Sequence, residues 1–395
     1  MIRNDCDRRR SRFRFKGFFC SDCYILPGFT DVHVHLREPG FSYKETVRTG
    51  TMAAAAGGFT DIVSMPNLEP CPDCLPNLQK QRDIIQQDAL VNVHPCGAIT
   101  VGEEGNAISS MDDMAPFLIG FSDDGVGVAS DEVMKAAMSK ARSLDRIILA
   151  HCEDRDYTRQ SSEAEWKQLE RDLKLAEETG CRYHMCHLSC RESVELIRAA
   201  KKKGLDVSCE TAPHYLLLSR EMIYDDGKFK MNPPLKERKD RQALIEAVRD
   251  GTIDMIATDH APHSREEKSG GMKNSTYGIV GLETAFPLLY TKLVLTGIIS
   301  FDRLIELMYV NPGKRFGLKR ADIEDELRSE NPTFTVWNLD EEYSIDPEKF
   351  FSKGRSTPFE GITVRGRCLA TVIEGNLVWE RNEENEDENF KDRIK

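Results

Sequence analysis

The feature that most restricts the fold of this 395-residue chain is a recurrence of short apolar runs that each end in a histidine or an aspartate. The first, Leu26-Pro-Gly-Phe-Thr-Asp-Val-His-Val-His-Leu-Arg37, carries His33 and His35 one residue apart. Alternate side chains of a β-strand share a face, so this spacing points two imidazoles to one side and sends Val32 and Val34 to the other. Four further runs end alike: Ile119 to Asp124, Arg146 to His151, Cys181 to His187 and Ile253 to Asp259. A lone His-x-His pair is weak evidence for a metal site, but the repetition makes a shared site the better reading.

Between these runs lie longer stretches with helical periodicity, namely Lys44 to Gly57, Ser130 to Ser143, Glu163 to Thr179, Glu192 to Lys203 and Lys239 to Arg249. Alternating strands and helices argue for parallel βαβ units. Eight strands are counted when Gly58 to Asn67, Val91 to Thr100 and Leu205 to His214 are added to the five above. The expected fold class is α/β, a (β/α)8 TIM-type barrel over residues 26–325 with its chemistry at the C-terminal strand ends. A doubly wound open sheet would gather residues from only some strands at one crevice. From about Asn331 the pattern shifts to the β-like runs Thr333 to Trp337 and Cys368 to Trp379, so residues 326–380 are expected to form a small β appendage. Residues 1–25 read as an arginine-rich tail without a convincing strand, and 381–395 as a charged, disordered tail.

Lys and Arg number 54 against 66 Asp and Glu, a formal charge of −12 that speaks against nucleic-acid or anionic-membrane partners. No window reaches transmembrane length and no secretory leader is evident, so a cytoplasmic location is expected. The 12 cysteines are scattered through apolar segments and suit reduced thiols; Cys71-Pro-Asp-Cys74 and Cys20-Ser-Asp-Cys23 are weaker metal candidates than the His/Asp set.

Four imidazoles and two carboxylates are too many for one tetrahedral zinc but suit two divalent ions. Such ions, about 3.5 to 4 Å apart, share an activated water and polarise a carbonyl. The reaction class implied is metal-assisted attack on an amide or ester.

The motifs His33-Val-His35-Leu-Arg37-Glu-Pro-Gly, Met65-Pro-Asn67, Phe121-Ser-Asp-Asp124-Gly, His151-Cys-Glu-Asp, Met231-Asn232-Pro-Pro and Ala257-Thr-Asp259-His-Ala-Pro-His263 resemble dihydroorotases, the bacterial class I branch of the amidohydrolase superfamily. The resemblance implies two Zn2+ per subunit: one on His33, His35 and Asp259, the other on His151 and His187, with Asp124 bridging. It also implies that Asp259 is the catalytic acid–base. Where many relatives use a carbamylated lysine as bridge, this chain has between Asn67 and His151 only Lys80, Lys135 and Lys140, none ending a strand. The implied reaction interconverts dihydroorotate and N-carbamoyl-L-aspartate in pyrimidine biosynthesis. Arg37, Asn67 and His263 would hold the substrate carboxylate, and His35, Asn232 and the backbone of Tyr277 and Gly278 would also contact the substrate. A planar guanidinium suits a carboxylate.

The resemblance leaves open a homo-oligomer and an aspartate transcarbamoylase partner. Two other readings stay open: an allantoinase- or hydantoinase-like hydrolase, and a catalytically silent scaffold. His184, at an odd offset from His187, is expected to face the helices, and His94 and His260 to be structural. His214 is expected at the pocket wall without a ligand role, and Ser264 to Thr276 to form a mobile loop over the mouth. Dihydroorotases of this type begin with strands that pair with the C-terminal ones, and residues 1–25 look too short and basic to supply them. The appendage is therefore expected to be incomplete, with strand edges near Val336 and Val372 exposed and association-prone.

Overall fold

The computed structural model describes residues 11–15 and 18–381. Its strands are β1 (Ser11–Phe15), β2 (Phe18–Leu26), β3 (Phe29–Val34), β4 (Phe59–Ser64), β5 (Asn92–Ala98), β6 (Gly120–Ser122), β7 (Ile147–Ala150), β8 (Arg182–Met185), β9 (Val207–Thr211), β10 (Met255–Ile256), β11 (Phe334–Ser344), β12 (Thr363–Ile373) and β13 (Asn376–Glu380). The run from β3 to β10 forms one eight-stranded parallel sheet in sequential order, the topology of a (β/α)8 barrel. Its ends meet at a seam. There Val34 bridges His260, the His35 N–H donates to His260 O at 2.9 Å, and the buried Asp31 carboxyl accepts from Thr258 N at 3.1 Å.

The expected helices are present as Val47–Ala56, Asp131–Ser143, Glu163–Thr179, Arg191–Lys202 and Arg238–Asp250. Leu75–Asp88 is a further helix, between β4 and β5, opened by Pro76 in its first turn. Inside the barrel, below the strand ends, Val32, Val63, Cys96, Leu149, Cys186 and Met255 form an apolar plug. No described helix is long and apolar enough to cross a membrane.

Two strand expectations need correction. Val32 joins the interior plug while Val34 packs outward, because the β3–β4 register shifts between Asp31 and Val34 and breaks the alternation. His184 faces the barrel interior rather than the helices, bonding Ser208 Oγ at 2.7 Å and Glu210 Oε2 at 3.0 Å. The offset rule misled because His187 lies past the end of β8 with φ 36°, where alternation no longer applies.

The appendage is a five-stranded antiparallel sheet in the order β1-β2-β11-β12-β13. The N-terminal segment therefore does supply strands: β2 pairs with β11 through Ile25 opposite Val336. Val336 is matched on its other side by Ala370, and Val372 lies between Phe334 and Leu377, so neither edge is exposed. The argument for association through those edges falls with it. Residues 1–10 and the charged tail from 382 lie outside the described residues. Cys368 to Trp379 splits into β12 and β13 at Glu374 and Gly375, both at positive φ as a tight hairpin turn requires. The sheet docks on the barrel through buried Trp337, whose ring centroid lies 4.3 Å from that of Phe286 and 5.7 Å from that of Phe29. A Cβ on Gly58, at φ 79°, would come within 2.3 Å of the Trp337 ring.

Candidate active site

Asp124 is the hub. Its Oδ1 lies 3.3 Å from His33 Nε2, 3.5 Å from His151 Nδ1 and 3.2 Å from His187 Nε2, and its Oδ2 lies 3.4 Å from His35 Nε2. Asp259 Oδ1 closes the other side at 3.3 Å from His35 Nε2 and 3.6 Å from His33 Nε2. All six side chains are buried at the C-terminal ends of their strands. Two donor groups share Asp124: His33, His35 and Asp124, and Asp124, His151 and His187.

The donor set fits metal ions. Donors held tetrahedrally about 2.0–2.1 Å from zinc lie roughly 3.3 Å apart, the spacing found here. His33 Nε2 is buried without a hydrogen-bond partner, a costly arrangement that a metal would relieve. Burial alone would raise the Asp124 carboxyl, yet the His33 charge and hydrogen bonds from His151 and His187 hold it well below the usual carboxylate range. Burial likewise opposes protonation of His151, but Asp124 and Glu153 pull it up to about 9. The negative field that attracts protons to these imidazoles is the field a divalent cation would fill.

Two carboxylates that sequence reasoning did not single out set the ring orientations. Glu210 Oε1 accepts from His33 Nδ1 at 2.8 Å, leaving Nε2 to face Asp124, while Oε2 is 3.0 Å from His184 Nε2. Glu153 Oε2 lies 3.1 Å from His151 Nε2, so this histidine presents Nδ1 instead. Carboxylates behind metal-binding imidazoles commonly fix tautomer and orientation. Their sequence signals were present: a glutamate inside the apolar strand β9, and one two residues beyond His151. His33, Cys186 and Glu210 form a third cluster of potential ligands beneath the first two. Among the described residues, neither Cys71 nor Cys74 belongs to such a cluster.

Arg37 and His263 come together, with Arg37 Nη2 3.3 Å from His263 Nε2. The Arg37 Nε–H also donates to Pro262 O at 3.3 Å, and among the described residues Arg37 forms no ion pair. A half-buried guanidinium without a counter-ion beside this site is a ready anion anchor. Burial, with the charges of Arg37 and Lys44, pushes His263 down to about 3, so it stays neutral beside them. Asn67 makes no hydrogen bond to that pair. Its amide instead donates to Asp124 O at 2.5 Å and to Glu103 Oε1 at 3.3 Å. Burial and the nearby Asp123 and Asp124 push Glu103 up to about 9.

Asn232 Nδ2 donates to Glu153 Oε2 at 2.8 Å, next to His151. Tyr277 O accepts from His263 Nε2 at 2.8 Å, and the Gly278 N–H donates to Lys230 O at 3.0 Å. Gly278 has φ 138°, and a Cβ there would meet Ala261 O at 2.5 Å. Arg37, His187 and Asp259 take left-handed backbone with φ 61°, 36° and 50°. Such strain costs of order 1–3 kcal/mol each and clusters at functional sites.

His94 pairs with Asp61 at 2.9 Å and His260 with Glu45 at 3.3 Å, both structural contacts. His214 is buried against Tyr215, its Nε2 without a hydrogen-bond partner, and burial lowers it to about 4. Ser264 to Thr276 contains helical turns at Arg265–Lys268 and Gly271–Asn274. Buried Lys268 ties it down by donating to Lys230 O at 3.0 Å and Thr276 O at 2.8 Å. Lys135 and Lys140 pair with Glu178 and Asp112 on the surface, and Lys80 is exposed, so none reaches the Asp124 position.

A dihydroorotase from Bacillus cereus is 43% identical over 376 residues, covering 90% of this chain and 87% of the relative. The chain belongs to the dihydroorotase family. A Fusobacterium nucleatum dihydroorotase is 45% identical over 379 residues, covering 91% of this chain and 88% of its own length. A dihydro-orotase-like family model matches residues 23–169. Membership makes the chain a cyclic amidohydrolase. Among solved structures, the L-hydantoinase (dihydropyrimidinase) of Arthrobacter aurescens superposes with TM-score 0.80 at 25% identity, over 91% of this chain and 86% of that one. The D-hydantoinase (dihydropyrimidinase) of Thermus sp. superposes with TM-score 0.78 at 22% identity, over 92% and 87%. The dihydroorotase family thus shares its barrel with the hydantoinases.

Proposed function

We propose that this chain is a zinc-dependent dihydroorotase that interconverts dihydroorotate and N-carbamoyl-L-aspartate, using two metal ions. The observation that carries the metal part is the Asp124 carboxylate, shared between His33 and His35 on one side and His151 and His187 on the other. His33, His35 and Asp259 would hold one ion, His151 and His187 the other, with Asp124 between them. When bound, such ions supply Lewis-acid chemistry, polarising the amide carbonyl and making water a better nucleophile near neutral pH.

The chain's own groups do the rest. Arg37 lacks an ion pair among the described residues and, with neutral His263 beside it, takes the substrate carboxylate, with Asn67 as the third contact. Asn232 and the backbone at Tyr277 and Gly278 set the ring. Burial would raise the Asp259 carboxyl, but the His35 hydrogen bond and nearby imidazoles keep it low, so it is ionised and able to accept a proton. In hydrolysis it takes the proton of the attacking water and returns it to the ring nitrogen as the C–N bond breaks. In cyclisation it removes the carbamoyl nitrogen proton as that bond forms and passes it to the carboxyl oxygen that departs as water when the C–O bond breaks.

The test is purified protein with added zinc, assayed in both directions with dihydroorotate and carbamoyl aspartate, and with hydantoin and allantoin in parallel. Turnover of the first pair far above the others is expected. Preference for hydantoin or allantoin, or stoichiometric zinc with no turnover, would overturn the reading.

A further inference from the structure

Glu153 touches more of the candidate site than any mechanism so far needs. Its Oε2 lies 3.1 Å from His151 Nε2 and accepts from Asn232 Nδ2 at 2.8 Å, while its Oε1 accepts from Arg159 Nε at 2.7 Å. The Arg159 guanidinium in turn lies over the Tyr277 ring, 4.6 Å from its centroid, and Lys230 Nζ also lies 4.7 Å from that ring. The Tyr277 carbonyl accepts from His263 Nε2 at 2.8 Å. One carboxylate thus connects an imidazole of the metal cluster to the segment that carries Tyr277 and, through it, to the anion end of the pocket.

We propose that Glu153 and Arg159 are positioning residues for the substrate ring. Glu153 locks His151 with Nδ1 toward Asp124 and holds the Asn232 amide, and Arg159 carries that geometry across the mouth to Tyr277. This inference rests on the dihydroorotase reading above.

The chemistry supports a positioning role. A carboxylate with two acceptor oxygens can serve His151, Asn232 and Arg159 together, whereas an amide offers one acceptor and two donors. A guanidinium can both bond a carboxylate and lie flat on an aromatic ring, which an ammonium does less well. Neither side chain belongs to the metal-donor groups among the described residues.

The experiment compares Arg159→Met, Arg159→Lys, Glu153→Gln and wild type, each zinc-loaded, by steady-state kinetics with dihydroorotate, zinc retention against a chelator, and thermal unfolding. Arg159→Met is expected to raise KM about tenfold, with a much smaller change in kcat and zinc retention as in wild type; Arg159→Lys should recover part of the KM. Glu153→Gln should raise KM and also weaken zinc retention by roughly 10–100-fold, as loss of a carboxylate behind a metal-bound histidine does. If the Arg159 variants lose kcat and KM performance only in proportion to lost thermal stability, or if Glu153→Gln retains zinc and KM like wild type, the proposal is overturned. Because zinc retention is read separately from turnover, failure of this inference is distinct from a wild type that does not process dihydroorotate at all.

Discussion

Leu149 and His151 stand two positions apart on the way out of β7, and both are buried, at 0% and 2% exposure. Leu149 belongs to the apolar plug, where close packing alone repays its burial. His151 is satisfied only because Asp124, Glu153 and His187 meet its two nitrogens. The floor of the barrel thus gains stability from burial, while the mouth holds a concentration of charge that costs stability unless each group is partnered. Folding free energy is supplied below, and above it is held in a geometry suited to cations and an anionic substrate.

Changes at the two levels should separate cleanly. At the mouth, Asp259→Asn removes the proposed proton acceptor and is expected to lower kcat by about 10²–10⁴-fold without unfolding the protein, as kinetics and circular dichroism will show. At the floor, Leu149→Ala opens a cavity and is expected to cost about 2–5 kcal/mol in urea unfolding, while folded molecules keep their zinc content. A loss of zinc without a loss of stability in that variant would blur the division.

Where the appendage meets the barrel, Glu283 accepts from Phe351 N at 3.0 Å and Ser352 N at 3.2 Å, and burial pushes it from 4.5 up to about 7. The native state then holds a proton that the unfolded chain releases, so this group's contribution to stability falls as pH rises from 4.5 to about 7. Glu283→Gln should therefore gain on wild type by up to roughly 3 kcal/mol over that window, measured by denaturant midpoints across pH. The smallest effect is expected from Arg37→Met. Loss of the proposed charged contact to the substrate, worth about 1.5–3 kcal/mol, should lower kcat/KM roughly 10–100-fold, mainly through KM, with zinc retained.

Much of the mouth was legible because a parallel barrel puts its strand ends in one place, so His33, His35, Asp124, His151, His187 and Asp259 stand out as polar ends of apolar runs. Legibility failed where the backbone leaves the extended conformation. The register shift in β3 turned Val32 inward, and the left-handed residue at His187 spoiled the inference about His184. It failed again for β2, whose partner Val336 is some three hundred residues away and leaves no local trace beside Ile25. Glu153 and Glu210 were passed over because a buried glutamate takes its meaning from the imidazole it faces, which only the fold supplies.

The central proposal is that the Asp124 carboxylate would be shared by two bound cations. Anomalous diffraction at the zinc edge, from crystals grown with zinc, tests it most directly. The account predicts two peaks, one ringed by His33, His35 and Asp259 and the other by His151 and His187, with the Asp124 carboxylate touching both. A single peak, or zinc bound elsewhere with these six side chains turned apart, would contradict it.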